Sequence, residues 1–224
     1  MRNTIIVGSG AVAAEVTSYI QDSNTHASDE RQLNILGYLE FEENISKYWS
    51  KYKFQKPVLS DIYKYNIQKD DHFIVAIANV EFRAKVIEIL KDRKASIIGF
   101  IHCSVIIADS ARLGIGNIIY PHCIIGPNAT IGNNNLLTSY SFISHDCVVG
   151  DNNLFSTSGI SGNVTVGGNN FFGIRATVLP NISIGDRNVI QAGMIVDKEV
   201  GNDSTVFHRF REKVIAIKSV NDQE

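Results

Sequence analysis

The sequence is short of the features that mark several protein classes. It holds three cysteines among 224 residues, Cys103, Cys123 and Cys147. Three cannot all pair, and no C-x-x-C occurs, so neither a disulfide framework nor a zinc knuckle is indicated. No apolar run approaches the roughly 18 residues that a membrane span needs. Met1-Arg2-Asn3-Thr4 leads through a short apolar run into glycines, without the cleavage region of a signal peptide. A charge excess is also missing. The formal net charge of −2 and pI of about 6.3 give no global electrostatic case for nucleic acid or an anionic membrane. What remains is 44% apolar and 20% charged, ordinary globular composition in a chain long enough to bury a core. The expectation is a soluble cytoplasmic protein in a reducing compartment, with no nucleic-acid partner and no membrane insertion.

Charge is distributed unevenly. Residues 1–100 carry thirteen acidic and thirteen basic side chains, whereas residues 101–200 carry six and four, and Asn and Gly take over there. The composition predicts two architectures meeting near Ile97–Ser104. In the first, Thr4–Val7 reads as a strand running into Gly8-Ser9-Gly10, and Ala11–Gln21 as a helix with Val12, Val16, Tyr19 and Ile20 on one face. Ser23–Gln32 reads as loop. Leu33–Leu39 and Phe73–Ala78 read as further strands, the latter apolar enough to be buried on both faces. Phe82–Lys91 reads as a helix with Val86, Ile89 and Leu90 inward, and Ser96–Ile101 as a last strand. The pattern predicts a small Rossmann-like βαβ parallel sheet.

The second part carries a six-residue period. From Ile107 every sixth residue is apolar: Leu113, Ile119, Ile125, Ile131, Leu137, Ile143, Val149 and Phe155. After one dropped residue the series resumes at Ile160, Val166, Phe172, Val178, Ile184, Ile190 and Val196. At the background apolar frequency, chance would produce this with a probability on the order of 10⁻⁶. Small or amide residues lie two positions earlier (Ala111, Asn117, Cys123, Ala129, Asn135, Ser141, Cys147, Asn153), and glycine often follows. The period fits a parallel β-helix in which each hexapeptide is one flat face plus a corner. Three faces make an 18-residue coil, and five coils at about 4.8 Å give a prism roughly 24 Å long. Glycine and asparagine suit corners because they tolerate positive φ. His145 lies two residues past the inward Ile143, so it is expected at a corner, not in the core. His122 precedes His145 by a spacing that is not a whole coil, which places the two on different faces.

The segments Ile5-Ile6-Val7-Gly8-Ser9-Gly10, Phe73–Asn79 with Arg83, Ile143-Ser144-His145-Asp146-Cys147-Val148-Val149-Gly150-Asp151 and Gly162-Asn163-Val164-Thr165-Val166-Gly167 together cover most of residues 4–205. In combination they resemble the hexapeptide-repeat sugar acyltransferases, which include nucleotide-linked 4-amino-sugar N-acetyltransferases and sialic acid O-acetyltransferases. The resemblance implies a left-handed parallel β-helix over 101–206 behind a sugar-nucleotide-binding βαβ domain over 1–100, with a tail at 207–224. It implies a homotrimer and acetyl-coenzyme A as cosubstrate in a groove between subunits. No metal is expected, since a zinc site needs a third histidine and position 150, five beyond His145, is glycine.

Acetyl transfer from a thioester needs a base, a group that orients it, and donors for the tetrahedral oxyanion. Histidine suits the first role because its ordinary pKa lies near working pH. The resemblance makes His145 the base, Asp146 its acidic partner, and the Gly162 amide the oxyanion donor. The dropped residue falls just before Gly162 and tightens that coil. Gly173, Ala192 and Gly193 match positions that contact pantetheine. The family's usual Gly-x-Pro-Ala-Lys ending is absent, and Arg209, Arg211 and Lys213 stand there as candidates for the coenzyme's phosphates.

Gly8-Ser9-Gly10-Ala11-Val12-Ala13 matches a G-x-G-x-x-A turn between strand and helix, which offers amides and a helix N-terminus to a pyrophosphate. With it go Glu40, at the end of the second strand where a ribose-binding acid is expected, and the weaker candidates Asn79 and Arg83. The implied activity is N-acetylation of a nucleotide-linked 4-amino-4,6-dideoxy sugar for surface glycan (O-antigen) synthesis, with direct attack by the amine. The alternatives are a sialic acid-type sugar O-acetyltransferase, an NAD(P)-linked enzyme using the glycine turn, and a non-catalytic trimeric scaffold. The nucleotide base (UDP, dTDP or GDP), sugar stereochemistry and acyl length stay open.

Overall fold

The computed structural model describes residues 1–28, 32–44 and 51–208. Five parallel strands, β1 (Arg2–Val7), β2 (Leu33–Glu40), β3 (Val58–Asp61), β4 (His72–Val75) and β5 (Ser96–Ile97), form a sheet of order β3-β2-β1-β4-β5. Helix α1 (Ala11–His26) follows β1, and α2 (Val80–Asp92) follows β4. Alternation along β1 sends Ile6 to one side and Ile5 and Val7 to the other. Ile6 packs with Ala13, Val16 and Ile20 of α1, while Ile5 and Val7 pack with Val86, Ile87 and Leu90 of α2.

Several elements differ from expectation. Helix α1 runs through Ser23–His26 instead of yielding to loop. Asn24 holds that extra turn: its Oδ1 accepts from Leu33 N and its Nδ2 donates to Leu33 O, at 3.0 and 2.9 Å. The short edge strand β3, directly after Pro57, had no alternation to announce it. On α2 the buried stripe is Arg83, Val86, Ile87 and Leu90, so Ile87 takes the place expected for Ile89. The stretch Ser96–Ile101 is two strands. Ser96–Ile97 completes the flat sheet, and Phe100–Ile101 begins the prism. Gly99 makes the passage possible, because a Cβ there would lie 2.3 Å from Asn117 O.

The prism is a left-handed parallel β-helix with three faces. Face 1 stacks seven two-residue strands from Phe100–Ile101 to Thr205–Val206. Face 2 stacks six, from Ile106–Ile107 to Ile195–Val196, and face 3 five, from Arg112–Leu113 to Ser183–Ile184. It is therefore longer than the hexad count alone, by the strands before Ile107 and after Val196. All sixteen hexad residues point inward in one continuous core, with only Ile107 and Leu113, at the open end, partly exposed. Asn117, Asn135, Asn153, Asn170 and Asn188 climb one inner corner as a ladder, the Oδ1 of each of the first four accepting from the backbone N–H of the next asparagine at 2.8 Å and that of Asn188 from Ser204 N at 2.7 Å.

Asparagine does occupy positive-φ corners, for example Asn128, Asn163 and Asn181. Most of the repeat glycines do not. Gly132 and Gly150 have no positive φ; a Cβ there would instead approach the backbone of the next coil at 2.9 and 2.8 Å. Close stacking of coils, not turn conformation, is what requires them. The dropped residue shortens one corner between faces 1 and 2 to Ser156–Ser158, against Thr138–Ser141 one coil below. Pairing recovers at once, with Phe142 opposite Gly159 and Ile143 opposite Ile160.

The outer sides of the faces have different fates. On face 1, Phe100, Ile118, Leu136 and Leu154 are buried against α1 and its sheet. On face 3 the outward residues are mainly polar: Arg112, Thr130, Val148, Thr165 and Ser183. Face 2 presents Ile106, Ile124, Phe142 and Ile195 to the outside, all exposed. Arg83 ties the two parts together. Its guanidinium is 2% exposed and donates to Asn152 Oδ1, the Asn152 and Asn153 carbonyls and the Ile77 carbonyl, at 2.7 to 3.2 Å.

Candidate active site

His145 sits on the corner between faces 2 and 3, with 61% of its side chain exposed. Its Nδ1 lies 2.8 Å from Asp146 Oδ2, although the two are adjacent in sequence. The contact forms because Asp146 has φ +57°, which swings its side chain back beside the imidazole. Asp146 Oδ1 accepts from Asn128 Nδ2 at 3.1 Å. The bond to His145 first, and that to Asn128 second, hold the Asp146 carboxyl below its ordinary pKa. With an ionised carboxylate at Nδ1, the imidazole carries its proton there and leaves the Nε2 lone pair available.

Gly162 lies one coil above on the same corner. A Cβ at Gly162 would stand 2.4 Å from His145 Cε1 and 2.5 Å from Nε2, so the ring rests on this glycine. The Gly162 N–H donates to no backbone carbonyl among the described residues. The tight corner lies one strand earlier and leaves Gly162 in register with the coil below. Cys147 and Cys123 are buried; their thiols donate to Ser161 O at 3.1 Å and Thr138 O at 3.2 Å. Burial pushes the Cys123 pKa up to about 11 and raises that of Cys147. Neither is placed as a nucleophile.

Gly173, Ala192 and Gly193 occupy the other edge of face 2, on its corner with face 1. Gly173 backs on Ala192, whose backbone N would be 2.6 Å from a Cβ, and Gly193 has φ +74°. One chain therefore does not bring them to His145. His122 shares that corner, stacked on Tyr140 with centroids 5.3 Å apart, away from the His145 corner. His102 is buried and bonded at both ring nitrogens, to Asp22 Oδ2 at 2.9 Å and Ser104 Oγ at 2.8 Å. It tethers α1 to the first coil. Arg209 and Arg211 lie outside the described residues.

The glycine turn opens a second site. Strand order reverses between β1 and β4, and in open parallel sheets the crevice at such a point receives ligands. A cleft of about 350 Å³ lies there, lined by Gly8, Ser9, Gly10, Glu40, Tyr52 and Ala76 among others. Gly8 needs its freedom: φ is +106°, and a Cβ would meet Ala76 O at 2.9 Å. Gly10 is the N-cap of α1, with no capping side chain and no acidic residue in the first turn, and its Cβ position faces open space. Those uncapped amides suit an anion. Glu40 is turned onto the turn itself, its Oε2 accepting from Ser9 N and Ser9 Oγ, both at 2.8 Å. It braces the loop from below.

Two other expected nucleotide contacts are elsewhere. Asn79 caps α2, its Oδ1 accepting from Phe82 N at 2.8 Å, and Arg83 is buried in the junction with the prism. Conversely, Asn128 and Tyr52 were not singled out from the sequence. Asn128 is one coil of 18 residues before Asp146, a spacing that pointed to it. Tyr52 carried no comparable signal.

No protein-family model matches the chain, and no curated protein matches it. Solved structures do. WeeI from Acinetobacter baumannii AYE superposes with a TM-score of 0.77 at 22% identity, over 94% of this chain and 99% of that one. PerB from Caulobacter crescentus, in complex with CoA and GDP-perosamine, gives 0.74 at 21% over 92% and 93%. The acetyltransferase domain of PglB from Neisseria gonorrhoeae FA1090, in complex with acetyl coenzyme A, gives 0.72 at 14% over 91% and 95%. The chain thus shares, over nearly its whole length, the fold of these three structures.

Proposed function

We propose that this protein is an acetyl-coenzyme A-dependent N-acetyltransferase of a nucleotide-linked amino sugar, of the 4-amino-4,6-dideoxy type. The observation that carries the reading is the exposed imidazole of His145, bound through Nδ1 to Asp146 and seated on Gly162, with no hydrogen bond at Nε2 among the described residues. The neighbouring fold in complex with CoA and GDP-perosamine supports both substrate classes. The amine attacks the thioester carbonyl, forming the C–N bond, while His145 Nε2 takes the amine proton. The tetrahedral intermediate collapses with cleavage of C–S, and the coenzyme thiolate leaves and takes up a proton. The Gly162 N–H faces the oxyanion. No acyl-enzyme forms, in keeping with the buried, carbonyl-bound thiols of Cys123 and Cys147.

The enzyme works as a homotrimer. The exposed apolar side of face 2 supports this, since His145 lies along one of its edges and Gly173, Ala192 and Gly193 along the other. A second copy covering face 2 brings the His145 corner of one protomer to the glycine corner of the next, and acetyl-coenzyme A lies between them. The unit spanning residues 1–100 holds the nucleotide in the Gly8–Gly10 cleft, and residues 101–206 carry the transfer.

The deciding experiment offers the purified protein acetyl-coenzyme A with UDP-, dTDP- and GDP-linked amino sugars, beside matching hydroxyl-bearing sugars, and measures thiol release. Turnover with an amino acceptor is expected. Transfer only to hydroxyls makes the protein an O-acetyltransferase, and transfer to none, with no coenzyme binding, leaves a scaffold. Replacing Gly162 by Ala is expected to cut kcat by about 10²-fold, the scale on which a misplaced catalytic group acts. The new methyl displaces the imidazole, while the fold holds because the exposed ring can swing outward. Unchanged kcat in Gly162→Ala would mean that the ring does not work from this position.

A further inference from the structure

We propose that Asn128 is a positioning residue of the transfer site, anchoring the Asp146 carboxylate so that one oxygen stays on His145 Nδ1. The inference rests on the reading of His145 as the base. A carboxylate half exposed on a corner has two equivalent oxygens and turns freely about its last torsion. Here each oxygen has its own partner: Oδ2 has the imidazole at 2.8 Å and Oδ1 the Asn128 amide at 3.1 Å. Two bonds on different oxygens stop that rotation.

Asn128 is itself held. Its backbone N–H donates to Ser110 Oγ at 3.0 Å, and its φ of +58° matches the +57° of Asp146, so both side chains leave the corner in register. The residue type suits the task. A lysine there would compete with His145 for the carboxylate, and an aspartate would repel it, whereas an amide donates without charge. Asparagine pairing alone is a habit of this corner, since Asn163 Nδ2 also donates to Asn181 Oδ1 at 2.8 Å. What distinguishes Asn128 is that its acceptor also orients the imidazole.

The test compares Asn128→Gly, Asn128→Asp and Asn181→Gly with the unsubstituted enzyme. Glycine accepts the positive φ at both sites, so backbone strain does not enter. Asn128→Gly is expected to lower kcat about tenfold through looser positioning, with KM for both substrates and the melting temperature unchanged. Asn128→Asp should lower kcat further. Asn181→Gly, which removes the corresponding bond two coils higher, should leave kcat unchanged. Histidine ¹⁵N shifts supply a second readout: the His145 signals, assigned by their loss in His145→Ala, should move from one tautomer to a mixture in Asn128→Gly. Wild-type kcat together with an unaltered tautomer in Asn128→Gly overturns the inference while the base reading stands. Wild-type turnover in His145→Ala overturns both.

Discussion

Replacing Arg83 by Ala is expected to destabilise the protein by several kcal/mol, since each buried acceptor left unpaired costs about 1–3 kcal/mol. The guanidinium is 2% exposed, and its four donations reach Ile77 beside the glycine cleft and Asn152 and Asn153 in the prism. Burial lowers its pKa to about 10, so it stays charged at neutral pH and carries its desolvation cost in the folded state. Truncation leaves those acceptors in a space that water enters poorly. Arg83→Lys should recover little, because one ammonium cannot span acceptors arranged around a planar fork. Urea unfolding checks the size of the loss. The same variants separate two roles for the residue. As a tie between the two parts, Arg83→Lys lowers stability while KM for the nucleotide sugar in the folded enzyme stays the same. A tenfold rise in that KM with unchanged stability would return Arg83 to the nucleotide site.

Arg83 also shows where reading the sequence reaches its limit. It follows the β4 strand at a position that resembles a ligand contact, and it lies on the inward stripe of α2 with Val86, Ile87 and Leu90. An arginine on a helix gives no sign of which buried carbonyls it will meet, since its partners in the prism are about seventy residues away on another element. The hexad behaves differently. Each of its apolar residues reports on a neighbour one coil away, so the period contains the stacking directly and the inward set is legible. The glycines after it were legible as a pattern but not as a cause. A missing Cβ serves either a positive φ or a close approach, and composition does not distinguish them.

The candidate site divides along the same line. His145 at a corner follows from its offset to Ile143. The bond from His145 to Asp146 depends on the +57° φ of Asp146, which the repeat of asparagines at equivalent corners foreshadows. Glu40 was readable as an acid at the end of β2. That it turns inward to Ser9 depends on the local fit of two loops, which no spacing rule contains.

Replacing His145 by Ala is expected to lower turnover by about 10²–10⁴-fold, the usual contribution of a general base, and to leave the fold as it is. Stability and turnover, the two halves of the effect, depend on different features of the site. Stability is indifferent because the side chain is 61% exposed and its neighbour Asp146 keeps the bond from Asn128, so no buried group loses a partner. Substitutions at such sites stay within about 0.5 kcal/mol. Turnover suffers because an amine attacking a thioester must shed a proton as the C–N bond forms, and no other described side chain rests on Gly162 with a free ring nitrogen. Steady-state kinetics beside thermal unfolding tests both halves. A loss of turnover that follows a loss of fold would make the imidazole structural, contrary to its exposure. A variant that folds and turns over like the parent would remove the base. The residual rate of a folded, slow variant is informative as well: it measures what holding amine and thioester together contributes without proton transfer. Asp146→Asn should then slow the parent but not the His145→Ala variant, because an orienting carboxylate has nothing left to orient.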